Sequence, residues 1–320
     1  MPALPTTMYN APMLRRVGAW LLLCCGITSV ATAAAPPHRL PPPGPPPAQQ
    51  ATVVGSLHAQ PQCIAPDAGV SSSGLPQGCT CAAYLIYDVQ ADQLVAVHNP
   101  DRRQPIASLS KLMTAIVANE HLRFDGCYRL TPTEQKLFGV PTMRADKMLE
   151  LALVASNNEV CKVIARLVAG SEPQFVALMN RRAGELGLAS THFVNCNGLP
   201  GDGQYSTLFD VLRLGRAALA CPRLAQTMTE PEVQLEGKVY KGTLDELYAR
   251  HFDPQTGRLV GGKTGYTKAA GRCLCLLYAS GGREYMLVSL GSKDVKASFR
   301  DAELLLSYHG LYHGDVAAWD

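Results

Sequence analysis

The stretch PIASLSKLMTA, residues 105–115, sets Ser108 and Lys111 one helical turn apart among apolar neighbours. At i and i+3 the two side chains share a helix face and can touch. Leu109, Leu112, Met113, Ile116 and Val117 extend the apolar pattern, so the spacing predicts a buried helix from Ser108 to about His121. A hydroxyl and an amine inside such a helix are costly unless each has a partner. What surrounds the helix decides the fold. Upstream, CAAYLIYDVQADQLVAVHNPD from Cys81 puts two apolar runs around Asp88-Val89-Gln90-Ala91-Asp92, the pattern of a β-hairpin. Downstream, ADKMLELALVA, EVCKVIARLVAG, PQFVALMNRRAGELG and STLFDVLRLGRAALA, all between about 145 and 220, repeat the i, i+3, i+4 spacing, with Ser206 or Thr207 as N-cap of the last. Strand patterns return in RLVGGKTGYT, RCLCLLYA and REYMLVSLGS, and SFRDAELLLSYHG closes as a helix. Strands at both ends of one domain must pair across the chain. The expectation is an α/β (α+β) protein whose antiparallel sheet joins N- and C-terminal strands around a helical lobe.

The 320 residues are 47% hydrophobic, ample for a sizeable core, and a formal charge of +3 with no basic stripe gives no sign of nucleic acid as a partner. Arg15 and Arg16 precede an apolar run from Val17 to Val30, and Ala31-Thr32-Ala33 follows with small residues suited to signal cleavage. Residues 1–35 are therefore read as a signal peptide, with membrane attachment expected only if it is left uncleaved. Residues 36–78, rich in Pro, Gln, Ser and Gly, read as an unpacked tether, and 79–315 as the folded domain. Nine cysteines lie beyond the signal, at 63, 79, 81, 127, 161, 196, 221, 273 and 275. In an oxidising compartment some should form disulfides, with at least one thiol left over. The two C-x-C pairs lack the C-x-x-C spacing of zinc ribbons, and the eight histidines form no H-E-x-x-H, so no metal site is expected. Cys273 and Cys275, two apart on a strand, should share a face and pack as small apolar residues.

A serine becomes a nucleophile when a base takes its proton, and a lysine can be that base only if its pKa falls well below about 10.4. Burial lowers it, and so does a neighbouring cation. The start of the helix also offers free N–H groups near Ser108. Taken alone, Ser-x-x-Lys is as well explained by a serine cap and a surface lysine. Two further stretches change the balance. Ser156-Asn157-Asn158 interrupts two apolar helical segments, and Lys263-Thr264-Gly265 ends an apolar strand after Gly261-Gly262, where the backbone can approach a ligand closely.

S-x-x-K, S-x-N and K-T-G, in that order, form the signature of penicillin-binding proteins and class A β-lactamases. Here 48 and 107 residues separate Ser108, Ser156 and Lys263. PIASLSKLMTA, MLELALVASNNEV, THFVNCNGLPGDGQYSTLFDVLRLGRA and GGKTGYTKAAGRCLCLL together resemble the low-molecular-mass D-alanyl-D-alanine carboxypeptidase and endopeptidase family of serine peptidases, over most of residues 80–310. The resemblance implies a β-lactamase/penicillin-binding transpeptidase-like fold, and a peptidoglycan D,D-peptidase with stem peptides as substrate, β-lactams as inhibitors and no cofactor. It implies Ser108 as nucleophile, Lys111 as its base and Ser156 as proton relay to the leaving amine. Asn158 would bind the substrate peptide, Lys263 would keep the site electropositive, and Thr264 would hold the terminal carboxylate. The amides of Ser108 and Tyr266, beside Gly265, would form the oxyanion hole.

Departures from the family pattern are Glu159-Val160-Cys161 after Asn158 and a short stretch between Arg123 and Arg144. Nothing after Lys293 resembles the added β-domain and membrane helix of the larger carboxypeptidases, which inclines the resemblance to the endopeptidase branch. Two other readings stand beside it. A β-lactamase needs a carboxylate for deacylation, and Glu232-Val-Gln-Leu-Glu236 only approaches the E-x-x-L-N pattern. A silent wall-binding scaffold would show the 123–144 segment folded across Ser108. The sequence gives no indication of oligomeric state.

Overall fold

The computed structural model describes residues 73–250 and 257–316. The signal at 1–35, the tether up to residue 72 and Cys63 lie outside the described residues. In chain order come β1 (Ala83–Asp88), β2 (Gln93–His98), a 3₁₀ turn over Ala107–Ser110, α1 (Lys111–His121), β3 (Cys127–Arg129), α2 (Pro132–Phe138) and β4 (Thr142–Arg144). There follow α3 (Ala145–Leu153), α4 (Asn158–Ala169), α5 (Glu172–Glu185), α6 (Leu208–Leu219) and α7 (Pro222–Thr227). The chain ends with β5 (Glu232–Leu235), β6 (Lys238–Lys241), α8 (Asp245–Arg250), β7 (Arg258–Thr267), β8 (Gly271–Ser280), β9 (Arg283–Ser292) and α9 (Val295–Tyr308).

The main sheet runs β2-β1-β9-β8-β7, antiparallel at every pairing. The two ends of the chain thus meet at β1 and β9, as the distribution of strand patterns requires. All six residues of β1 are buried, because Ala83, Leu85 and Tyr87 face the core of the helical lobe while Tyr84 and Ile86 face the core under α9. A strand covered on both faces reads as a continuous apolar run, which is why AYLIY shows no alternation. α1 is enclosed by α3, α4, α5 and α6, and its residues from Lys111 to Ala118 are all buried. Thr207 caps α6 by accepting from the Asp210 amide. Among the described residues no helix is long and apolar enough to cross a membrane.

Several expectations are corrected. The helix predicted from Ser108 opens instead as a 3₁₀ turn, and the α-helix proper begins at Lys111. The end of the tether is packed: the Ser73 amide donates to the Val97 carbonyl at 2.8 Å, and the Tyr84 hydroxyl to the Gly74 carbonyl at 3.0 Å. The folded chain therefore includes residues ahead of Cys79. All eight described cysteines are free thiols, so no disulfide forms among them. Cys161, Cys196, Cys273 and Cys275 are each enclosed in the core as small apolar side chains, Cys273 and Cys275 on one face. The Cys79 and Cys81 sulfurs approach to 3.4 Å, well beyond the ~2.05 Å of a disulfide bond.

Candidate active site

Lys111 Nζ lies 2.6 Å from Ser108 Oγ, 2.8 Å from Asn158 Oδ1 and 2.7 Å from the Asn197 carbonyl. The two carbonyl oxygens have no proton to give, so both accept from Nζ. A neutral amine has two N–H bonds and one lone pair. In that neutral form, with its two N–H groups on Asn158 and Asn197, the amine would turn its lone pair to the Ser108 hydroxyl, the arrangement a general base needs.

Burial favours that neutral form. Lys111 and Lys263 are both without exposed surface, and no carboxylate forms an ion pair with either among the described residues. Desolvation lowers the Lys111 pKa, and it lowers that of Lys263 further, with the Lys111 cation adding to the effect. Lys263 Nζ donates to the Thr264 carbonyl at 2.9 Å. Cys161 lies behind the two lysines, where burial holds its thiol up at about 11 and therefore neutral.

Two left-handed residues and two close approaches hold this geometry. Ala107, just before Ser108, has φ +49° and Ser156 has φ +54°, left-handed conformations that L-residues adopt at a cost of about 1–2 kcal/mol. Gly198, with φ +81°, lies so close to the Ala107 carbonyl that a Cβ would come within 1.9 Å of its oxygen. A Cβ on Gly265 would stand 2.9 Å from the Ser108 nitrogen, so β7 passes directly beside the Ser108 amide. Thr264 is half-buried on that strand and Tyr266 is exposed, its ring stacked under the Arg272 guanidinium at 4.0 Å.

A family model for D-alanyl-D-alanine carboxypeptidases matches residues 71–294. The chain belongs to that family. The D-alanyl-D-alanine endopeptidase of Pseudomonas aeruginosa is 31% identical over 259 residues, covering 77% of this chain and 82% of the relative. The carboxypeptidase DacD of Salmonella typhimurium is 27% identical over 275 residues, covering 79% and 68%. Among solved structures, cefotaxime-bound penicillin-binding protein D2 of Listeria monocytogenes superposes with a TM-score of 0.62 at 28% identity, over 72% of this chain and 98% of that one. The fold is that of the penicillin-binding proteins, as the motifs implied.

Within this member of the carboxypeptidase family, Ser108, Lys111 and Asn158 are joined by hydrogen bonds. Lys263, Thr264 and Gly265 line the adjacent strand. Ser156 sits half-buried in the turn between α3 and α4, and among the described residues its hydroxyl has no hydrogen bond to Ser108, Lys111 or Lys263. Asn157, by contrast, caps α4 by accepting from the Glu159 and Val160 amides at 2.9 Å. Glu159 turns outward to Lys162, and Cys161 supplies the buried filling. The 123–144 segment ties to α4 through Arg166 and Glu134 and, among the described residues, makes no hydrogen bond to the site. Glu232 is exposed on β5, bonded to Gln234. Asn197, which none of the three motifs includes, is also a partner of Lys111, through its carbonyl.

Proposed function

We propose that this chain is an exported serine D,D-peptidase of peptidoglycan, working through an acyl-enzyme on Ser108. The observation that carries it is the Lys111 amine, buried, held on two pure acceptors and pointed at Ser108 Oγ from 2.6 Å. Ser108 Oγ attacks the carbonyl between two D-amino acids as its proton passes to Lys111 Nζ. The oxyanion rests on the Ser108 and Tyr266 amides, where one such donor is worth about 3 kcal/mol. The C–N bond then breaks, and Lys111, through Ser156, returns the proton to the leaving amine. Water hydrolyses the Ser108 ester by the same route in reverse. Asn158 and β7 position the peptide, and Lys263 with Thr264 receives its terminal carboxylate. No step calls for a metal or cofactor. The predicted signal at 1–35 and the tether after it suit a periplasmic enzyme, held at the membrane only if the signal stays uncleaved.

β-Lactams should acylate the same serine, a reading supported by the cefotaxime held by the Listeria relative. Intact-mass analysis after incubation with penicillin tests it: wild type should gain one penicillin and Ser108→Ala none. Untouched penicillin and no adduct would favour a silent scaffold; destroyed penicillin without an adduct would favour a β-lactamase. Cross-linked and uncross-linked muropeptides then distinguish endopeptidase from carboxypeptidase.

A further inference from the structure

A second cluster of reactive side chains lies under α9, on the sheet face turned away from Lys111. Cys79 and Cys81 precede β1, their sulfurs 3.4 Å apart, and Asp301 of α9 completes a group whose donor atoms all lie within 4.8 Å of one another. Asp301 is fully buried. Its Oδ1 accepts from the Thr80 amide at 2.9 Å and its Oδ2 from the Thr80 hydroxyl at 2.8 Å. Among the described residues no cation pairs with it. Buried carboxylates are ordinarily paired with a cation or bound to a metal, and each carboxylate oxygen retains a second acceptor site here.

We propose that Cys79, Cys81 and Asp301 form a binding site for a borderline-soft divalent cation of the zinc type. Two sulfurs bound to one tetrahedral zinc at ~2.3 Å stand about 3.8 Å apart, so the observed separation needs to open by only a few tenths of an ångström. Closing it to a disulfide would require a movement more than twice as large. Three protein ligands leave a fourth position for water. The charge balances: as the dication enters, the two thiols release two protons to solvent, and the pocket keeps the single negative charge it had as a carboxylate beside two neutral thiols. The bound ion would clip the N-terminal segment to the last helix, two parts of the chain that no disulfide joins among the described residues.

The test is cobalt and zinc titration of the reduced, chelator-stripped full chain. One equivalent of cobalt should bind with a thiolate-to-metal charge-transfer band, zinc should displace it, and zinc should raise the melting temperature. The Cys79→Ser/Cys81→Ser double variant should lose the band and the equivalent while still melting cooperatively. Asp301→Asn should weaken binding by roughly tenfold or more; since Asp301 also anchors Thr80, the cysteine variant decides alone if that protein does not fold. Three results would overturn the proposal: no metal bound at one equivalent, equal binding by the double cysteine variant, or a chain isolated from the periplasm two hydrogens lighter with a linked Cys79–Cys81 peptide. The last would make the pair a disulfide. None of these readouts depends on the peptidase assignment.

Discussion

Lys111 and Lys263 are the two fully buried lysines, and each has its pKa lowered first by the loss of water. The sign for stability follows. The unfolded chain keeps lysine protons to about pH 10.4, whereas the folded one releases them at lower pH, so between those values unfolding takes up protons. Stability therefore climbs with pH across that window and is lower and flat beneath it. Denaturant melts over the alkaline range should show the climb, and a flat profile would contradict the depressed lysines. Lys263→Met keeps the shape and removes the buried amine. It should add about 1 kcal/mol or more, ~2–4 °C in Tm for a domain of this size, while slowing acylation. Lys111→Ala should slow penicillin acylation by roughly 10²–10⁴-fold, measured by stopped-flow with a chromogenic β-lactam, and raising the pH should not restore it. At this scale the sequence was informative where a residue meets its partners through its own side chain, as Ser108, Lys111 and Asn158 do. It was silent where a residue acts through its backbone: neither the Asn197 carbonyl nor the left-handed Ala107 leaves a trace in residue type.

The 3₁₀ turn, the 195–199 loop and β7 converge on one peptide unit, the Ser108 amide. Gly265 permits that approach, so Gly265→Ala should slow acylation by at least tenfold, the order expected for disturbing one oxyanion donor, with the main sheet and its cooperative melt retained. Wild-type rates would show that β7 can yield at that point. Elements long enough to show a period were legible: the β1–β2 hairpin, α4, α6 with its Thr207 cap, and β7 to β9. Those missed were the six-residue helices α7 and α8, the β3–α2–β4 excursion and the β5–β6 hairpin, the last two with strands of 3 or 4 residues that are mostly exposed and too short to alternate detectably. Compartment reasoning predicted disulfides, but the core had already used four of the cysteines as small apolar filling.

Across the whole molecule, the sheet joins chain ends that lie about two hundred residues apart, and a further clasp sits outside it. Thr80 and Asp301, 221 residues apart, are bonded twice, and no local pattern could have revealed that pairing. A chain begun at Ala83 loses this clasp and leaves the buried Asp301 without partners, at a cost of about 1–3 kcal/mol. A chain begun at Ser73 keeps it. The first should melt lower than the second; equal melting would assign the clasp no energetic role. β7 closes the sheet at its other side. Among the described residues it pairs along its length only with β8, and its Gly262 amide reaches across to the Met228 carbonyl at 3.3 Å. Proteins usually hide such a free margin, because any extended chain can zip onto it. Under the proposed function, an open margin beside Ser108 would turn that hazard into a means of selection: a guest held by its amide and carbonyl groups would be judged by main-chain direction and chirality rather than by side chains, so one pocket would tolerate many wall chemistries yet admit a drug that copies only the backbone.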